Sequence, residues 1–128
     1  MNETALLFGS LFGGSAVIFG AFGAHALKKI FNDDQLKNFE TAVKYQMYHA
    51  LVLVAIGLSS LPPSDYLTYA IRCFIWGTLL FSLSIYSLTL SSALNKKIKL
   101  LGPVTPIGGL LLVAGWTLLF LLFISSKA

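Results

Sequence analysis

Four stretches of this chain contain no Asp, Glu, Lys or Arg, and they restrict its possible folds more than any other feature. They cover residues 4–27, 45–64, 73–95 and 100–126, and are 24, 20, 23 and 27 residues long. A helix needs about 20 apolar residues to cross the hydrocarbon core of a bilayer. Each run is therefore long enough for one crossing and too short for two. A transmembrane barrel would need short segments of alternating polarity. Runs such as Leu51-Val52-Leu53-Val54 and Gly109-Leu110-Leu111-Leu112-Val113 do not alternate. Because a lipid-embedded backbone must satisfy its own hydrogen bonds, the fold predicted is all-α, a four-helix transmembrane bundle.

Composition excludes the competing classes. The 128 residues are 56% hydrophobic and 11% charged, with a mean hydropathy of +0.80. A soluble domain is about a quarter charged, and one of this size could not bury so much apolar surface. Disordered chains are polar and charged. A disulfide scaffold is excluded because Cys73 has no partner cysteine. The net charge of +4 comes from nine Lys/Arg against five Asp/Glu, too few to follow a nucleic-acid backbone. Ala24-His25-Ala26 has the form of a signal-peptide cleavage site. However, Glu3 precedes the apolar run with no Lys or Arg, which argues against such a leader.

Turn chemistry sets the boundaries within a single membrane domain, 1–128. It predicts helices over about 4–26, 41–61, 66–93 and 106–125, with an amphipathic connector at 30–40. Asn32 and Gln35 form a capping box, and the connector helix runs into the second span. Leu61-Pro62-Pro63-Ser64-Asp65 is a turn with Ser64 or Asp65 as the next cap. Thr105-Pro106 has the pattern of a hydroxyl cap followed by proline at the first helical position. Gly102 and Pro103 predict a short non-helical segment before it.

Lys28, Lys29, Lys37 and Lys44 lie in the first connection and Lys96, Lys97 and Lys99 in the third, seven in all. Arg72 and Lys127 are the two on the other side. The positive-inside rule then predicts a multi-pass protein of the bacterial cytoplasmic membrane with both termini outside.

Small residues recur at four-residue spacing in the first helix, including Gly9, Gly13 and Gly20. Gly108 and Gly115 supply further small positions in the fourth. Such residues let backbones approach, either within a bundle or across a dimer. Their number predicts that the first helix is central.

Few side chains suit chemistry. His49, Gln46 and Tyr45 share one helical face, and His25 lies near the end of the neighbouring antiparallel helix. A polar face in an apolar helix must turn into the bundle or a wet cavity. The His49 imidazole is predicted to bond His25, Tyr86 or the Thr105 region. It fits packing between helices, or a proton relay, pH switch or ligand contact. Two histidines and one distant cysteine are too few for a usual zinc site. Ser82, Ser84 and Ser87 lack an acid that would orient a base, so they read as packing residues. Tyr45, Tyr48, Tyr66, Tyr69, Trp76 and Trp116 include interfacial anchors. No catalytic residue, metal or cofactor is predicted.

Four segments carry a family resemblance. They are Gly20-Ala21-Phe22-Gly23-Ala24-His25-Ala26-Leu27, the stretch from Phe39 through Lys44-Tyr45-Gln46-Met47-Tyr48-His49-Ala50, Leu80-Phe81-Ser82-Leu83-Ser84-Ile85-Tyr86, and Gly102-Pro103-Val104-Thr105-Pro106-Ile107-Gly108-Gly109 with Gly115-Trp116. In order and spacing they resemble the YgdD/YwdK-like family of small integral membrane proteins, a domain of unknown function. The resemblance implies a four-helix membrane protein and supplies no activity. The leading expectation is a non-enzymatic membrane component that binds lipid or a membrane partner, including another copy of itself. The alternative is a small-solute or proton transporter built on a polar site at His49. An intramembrane enzyme ranks third.

Overall fold

The computed structural model describes residues 1–127, and every element among them is helical. Helix α1 covers Glu3–His25 and is capped by the Asn2 side chain, which accepts from the Ala5 N–H. A short 3-10 turn, Leu27–Lys29, leads to α2, Asp33–Leu58. The capping box at its start is complete: Asn32 Oδ1 accepts from the Gln35 N–H, and Gln35 Oε1 accepts from the Asn32 N–H. The connector is thus the first part of a single 26-residue helix. Ser64 caps the third rod through the Leu67 N–H. This rod consists of α3 (Asp65–Thr78), a π turn (Leu79–Leu83) and α4 (Ser84–Ala93). Asn95 then takes the left-handed conformation at φ 59, a backbone state that Asn tolerates better than most residues.

Helix α5 covers Val104–Ser125 and so begins before the Thr105-Pro106 cap predicted from sequence. The 3-10 turn Lys99–Leu101 feeds almost directly into it. Pro106 falls in the first turn, where no intrahelical partner is lost. Thr105 instead places its hydroxyl 2.6 Å from Ser84 Oγ on α4.

Three rods, Glu3–His25, Asp65–Ala93 and Lys99–Ser125, are long and apolar enough to cross a membrane. The fourth long helix, α2, is less apolar because Lys44, Gln46 and His49 interrupt it. Large apolar side chains face outward, among them Leu7, Leu51, Trp76, Leu110 and Phe120. An apolar exterior of this extent is what a lipid solvent allows and water penalises.

Packing joins two helix pairs, α1 on α2 and α3 on α5, with α2 also touching α4 and the π turn. The central helix is therefore α2, not α1, which corrects the sequence expectation. Small residues reveal how closely two backbones approach but not how many neighbours a helix has. One face of α1 is used up on α2, while Gly14 on another has no neighbouring atom within 4 Å. A Cβ on Gly9 would lie 2.8 Å from Val54 Cγ2 and 3.0 Å from the Ala50 oxygen. Gly13 and Gly20 are looser, at 3.7 Å from Ala50 and 3.3 Å from Val43. In the second pair, a Cβ on Gly115 would meet the Phe74 ring at 2.7 Å. Gly108 is tighter still: its Cβ would run into the Phe81 nitrogen and lie 2.8 Å from Phe81 Cα. The backbone of α5 thus rests directly on the π turn.

Candidate functional site

Two polar centres lie on α2, three residues apart. Gln46 and His49 are each only 4% exposed. Successive turns of the helix aim them at different neighbours.

Gln46 connects three helices. Its Nε2 donates to the Phe12 carbonyl at 2.9 Å and to Ser15 Oγ at 2.7 Å, both on α1. Its Oε1 accepts from the Tyr86 hydroxyl of α4 at 2.7 Å. Tyr86 is held in turn by Phe19 and Phe39, with ring centroids 5.1 and 5.0 Å away. Ser82 in the π turn donates to the Ala42 carbonyl at 2.9 Å, tying the rod to α2. Ser84 donates back to the Phe81 carbonyl, inside the widened turn.

His49 forms a closed unit. Its Nδ1 lies 2.7 Å from the Tyr45 carbonyl, and Trp116 Nε1 donates to its Nε2 at 3.1 Å. An indole nitrogen can only donate, so Nε2 carries the lone pair and Nδ1 the hydrogen. The neutral ring thus has both nitrogens occupied. Phe74, Trp116 and Tyr45 surround it at centroid distances of 5.5, 6.0 and 6.3 Å.

These contacts correct the partners predicted for His49. Tyr86 serves Gln46, Thr105 pairs with Ser84, and His25 is exposed at the end of α1. Trp116, one of the six aromatic residues among which interfacial anchors were expected, is the actual partner. The seam register explains why the histidines do not meet. Gly23 of α1 faces Phe39 and Gly13 faces Ala50. His25 and His49 therefore lie about 17 Å apart along the seam, from the helical rise per residue. Tyr45 is partly exposed, its ring 4.9 Å from Phe81.

A groove opens beside Gln46, between α1 and the π turn, with a volume of about 230 Å³. Leu11, Phe12, Ser15 and Phe19 form the α1 wall. Thr78, Leu79, Ser82 and Leu83 form the opposite wall, with Gln46 at the back. Thr78 is 2% exposed and its Oγ1 has no hydrogen-bond partner. A hydroxyl within a helix usually bonds the carbonyl four residues earlier. Thr41, Thr89 and Thr117 do so here. Thr78 does not.

A larger cleft of about 400 Å³ lies among α2, α4 and α5, near the lysine-rich connections. The threonines that line it, Thr41, Thr89 and Thr105, all have partners. Among the described residues, no group of three or more His, Cys, Asp or Glu could hold a metal ion.

Sequence reasoning singled out Gln46 and Tyr86 but missed Ser15 and Thr78 and read Ser82 only as packing. The four-residue spacing of Thr78 and Ser82 was an available signal, since it puts both hydroxyls on one face.

The model of a family described as a protein of unknown function (DUF423) matches residues 19–109. That match includes Gln46, His49, the π turn and Gly108. Curated relatives match over most of the chain. UPF0382 membrane protein SH2409 of Staphylococcus haemolyticus is 40% identical over 116 residues, 91% of each chain. UPF0382 membrane protein SAB0533 of Staphylococcus aureus is likewise 40% identical over 91% of each chain. A UPF0382 membrane protein of Staphylococcus epidermidis is 40% identical over 114 residues, 89% of each chain. No solved structure matches. With its family model and its relatives in agreement, the chain belongs to the DUF423 (UPF0382) family of membrane proteins.

Proposed function

We propose that this chain is a four-span, non-enzymatic component of the bacterial cytoplasmic membrane that takes up a lipid, or a membrane partner, in the groove beside Gln46. The observation that carries this reading is the groove itself, a cleft between apolar side chains backed by a buried polar cluster and bordered by a π turn. Single π turns inside α-helices often occur at functional sites.

The seam with α1 supports a fourth span. Facing pairs run from Gly23–Phe39 to Gly57–Leu6, so α2 covers the same depth as α1. Its charges, Asp33 to Lys44, lie in its first half, where Lys44 can extend toward the interface. The lysine asymmetry supports a reading with the two lysine-rich connections in the cytoplasm and both termini outside.

Transport is the weaker reading. The ring nitrogens of His49 are occupied, and among the described residues no side-chain hydrogen bond joins its unit to the Gln46 cluster.

Photoactivatable phosphatidylglycerol, carrying its reactive group at the end of an acyl chain, tests the proposal in proteoliposomes. Label is expected to concentrate on Leu11 and Leu83 over the equally lipid-facing Phe120. Equal labelling at all three positions would overturn it.

A further inference from the structure

The cleft among α2, α4 and α5 shares no lining residue with the groove beside Gln46 and lies at a different depth. The rod Asp65–Ala93 has 29 residues. It is thus about 43 Å long, close to the roughly 40–45 Å of a bilayer with its headgroups. Thr89 precedes the end of that rod by four residues, and Pro106 follows the start of α5 by two. At 1.5 Å per residue the cleft is within about 6 Å of those helix ends. That is the level at which lipid headgroups meet the hydrocarbon.

The hydroxyl hydrogens of the walls are committed to the protein. Thr41 donates to the Lys37 carbonyl at 3.1 Å and Thr89 to the Ile85 carbonyl at 2.6 Å. Ser84 spends its only hydrogen on the Phe81 carbonyl, so Thr105 is the donor in its 2.6 Å contact with Ser84. What the walls offer an occupant is the apolar surface of Ile85, Leu88 and Pro106. Two turns of a helix about 10 Å across would need about twice the 400 Å³ of the cleft.

The mouth, in contrast, is basic. The carbonyl that holds the Thr41 hydroxyl belongs to Lys37, and the carbonyl that accepts from the Gly102 N–H at 3.2 Å belongs to Lys99. Thr41 and Gly102 both line the cleft, so each flank leads into a lysine. Both lysines are exposed, and so is Asn38, which brings an amide to the same wall as Thr41. The connections on this side carry seven lysines against Asp33, Asp34 and Glu40, a net charge of +4. That excess includes Asp34, one turn before Asn38.

An apolar cleft under a basic mouth fits one molecule that is hydrocarbon at one end and anionic at the other. We infer that the cleft binds an anionic phospholipid, with an acyl chain against Ile85, Leu88 and Pro106 and the phosphate held by Lys37 and Lys99. Basic pockets between transmembrane helices recur as sites for anionic headgroups.

The full chain in nanodiscs of phosphatidylethanolamine and phosphatidylglycerol provides the test. After partial delipidation, native mass spectrometry is expected to show one phosphatidylglycerol retained in preference to phosphatidylethanolamine. Lys37→Gln and Lys99→Gln together are expected to weaken that retention about 25-fold, about fivefold for each lysine. Lys28→Gln with Lys29→Gln removes the same charge from the turn after α1, which is not a wall of the cleft, and is expected to leave retention unchanged. Ile85→Trp fills the cleft and is expected to abolish retention. Asn38→Trp, at an exposed position, is expected to do the same from the mouth without overfilling the bundle. Glycerophosphoglycerol, the headgroup without its chains, is expected not to displace the lipid.

Equal loss in the two lysine pairs overturns the site and leaves only a general attraction of anionic lipid to a basic surface. Equal retention of the two phospholipids by the unaltered chain overturns it as well. Displacement by glycerophosphoglycerol would make the mouth a site for soluble anions, and a polypeptide crosslinked to a photoreactive residue at Asn38 would replace the lipid with a protein. Acyl-chain label at Leu11 and Leu83 reports on the groove beside Gln46 alone, so either reading can fail without the other.

Discussion

Gln46 and His49 are equally buried on the same helix, yet their surroundings differ in kind. His49 has both nitrogens bonded, and aromatic rings enclose it. Gln46 is just as fully bonded but backs a groove where the neighbouring Thr78 hydroxyl is unpartnered. Polarity inside a membrane helix thus serves two purposes here. A closed unit fixes how helices dock, whereas the Gln46 cluster ties three helices together behind an opening with apolar walls.

The strongest way to disrupt the comparison is to remove the π turn that forms one groove wall. Gly108→Leu drives a side chain into the Phe81 backbone, which cannot give way as a side chain can. The expected loss is about 3 kcal/mol, the upper part of the overpacking range, read as a lowered detergent melting midpoint. Gly14→Leu, with no neighbour within 4 Å, is the control and is expected to leave the midpoint unchanged.

Gln46→Leu ranks next. It strands the Tyr86 hydroxyl and removes the donor shared by Ser15 Oγ and the Phe12 carbonyl, and about 2 kcal/mol of destabilisation is expected. A stability equal to the unaltered protein would mean that these bonds are replaced by water from the groove.

His49→Leu is expected to cost about 1 kcal/mol, in line with measured bonds between membrane helices. Trp116→Phe removes the same bond from the other side. The two changes together are expected to cost less than their sum, because the unit is lost only once. Strict additivity in chemical unfolding would show the pair to be uncoupled.

The smallest effect belongs to Thr78→Val. Removing an unpartnered hydroxyl is expected to leave stability unchanged or slightly raised in detergent, unlike Gln46→Leu. A loss above about 1 kcal/mol would mean that the hydroxyl already has a partner in the empty protein.

The starts of α2 and α3 were legible because they depend on local chemistry, whereas that of α5 was not, since Thr105 bonds Ser84 instead of capping. Asn32 and Gln35 cap α2, Ser64 caps α3, and Pro62-Pro63 precedes that cap in the turn. The polar residues worth watching were legible too, since Gln46, His49 and Tyr86 stand out in apolar runs. Their pairing was not. It depends on the angle between helix pairs, which brings Tyr86 to Gln46 and Trp116 to His49. The π turn was hidden for a related reason. Its packing against α5 needs the missing side chain of Gly108, a residue 25 positions after Leu83. Thr78 stands out only once Thr41, Thr89 and Thr117 are seen bonding their own backbones.

The central claim is that the groove beside Gln46 holds a ligand while the His49 unit is sealed. A structure of the full chain in nanodiscs drawn from its native membrane tests this most directly. The account predicts elongated density between Phe12, Phe19 and Leu83, with no density between His49 and Trp116. A groove closed by its own side chains, or a ligand lodged at His49, would contradict it.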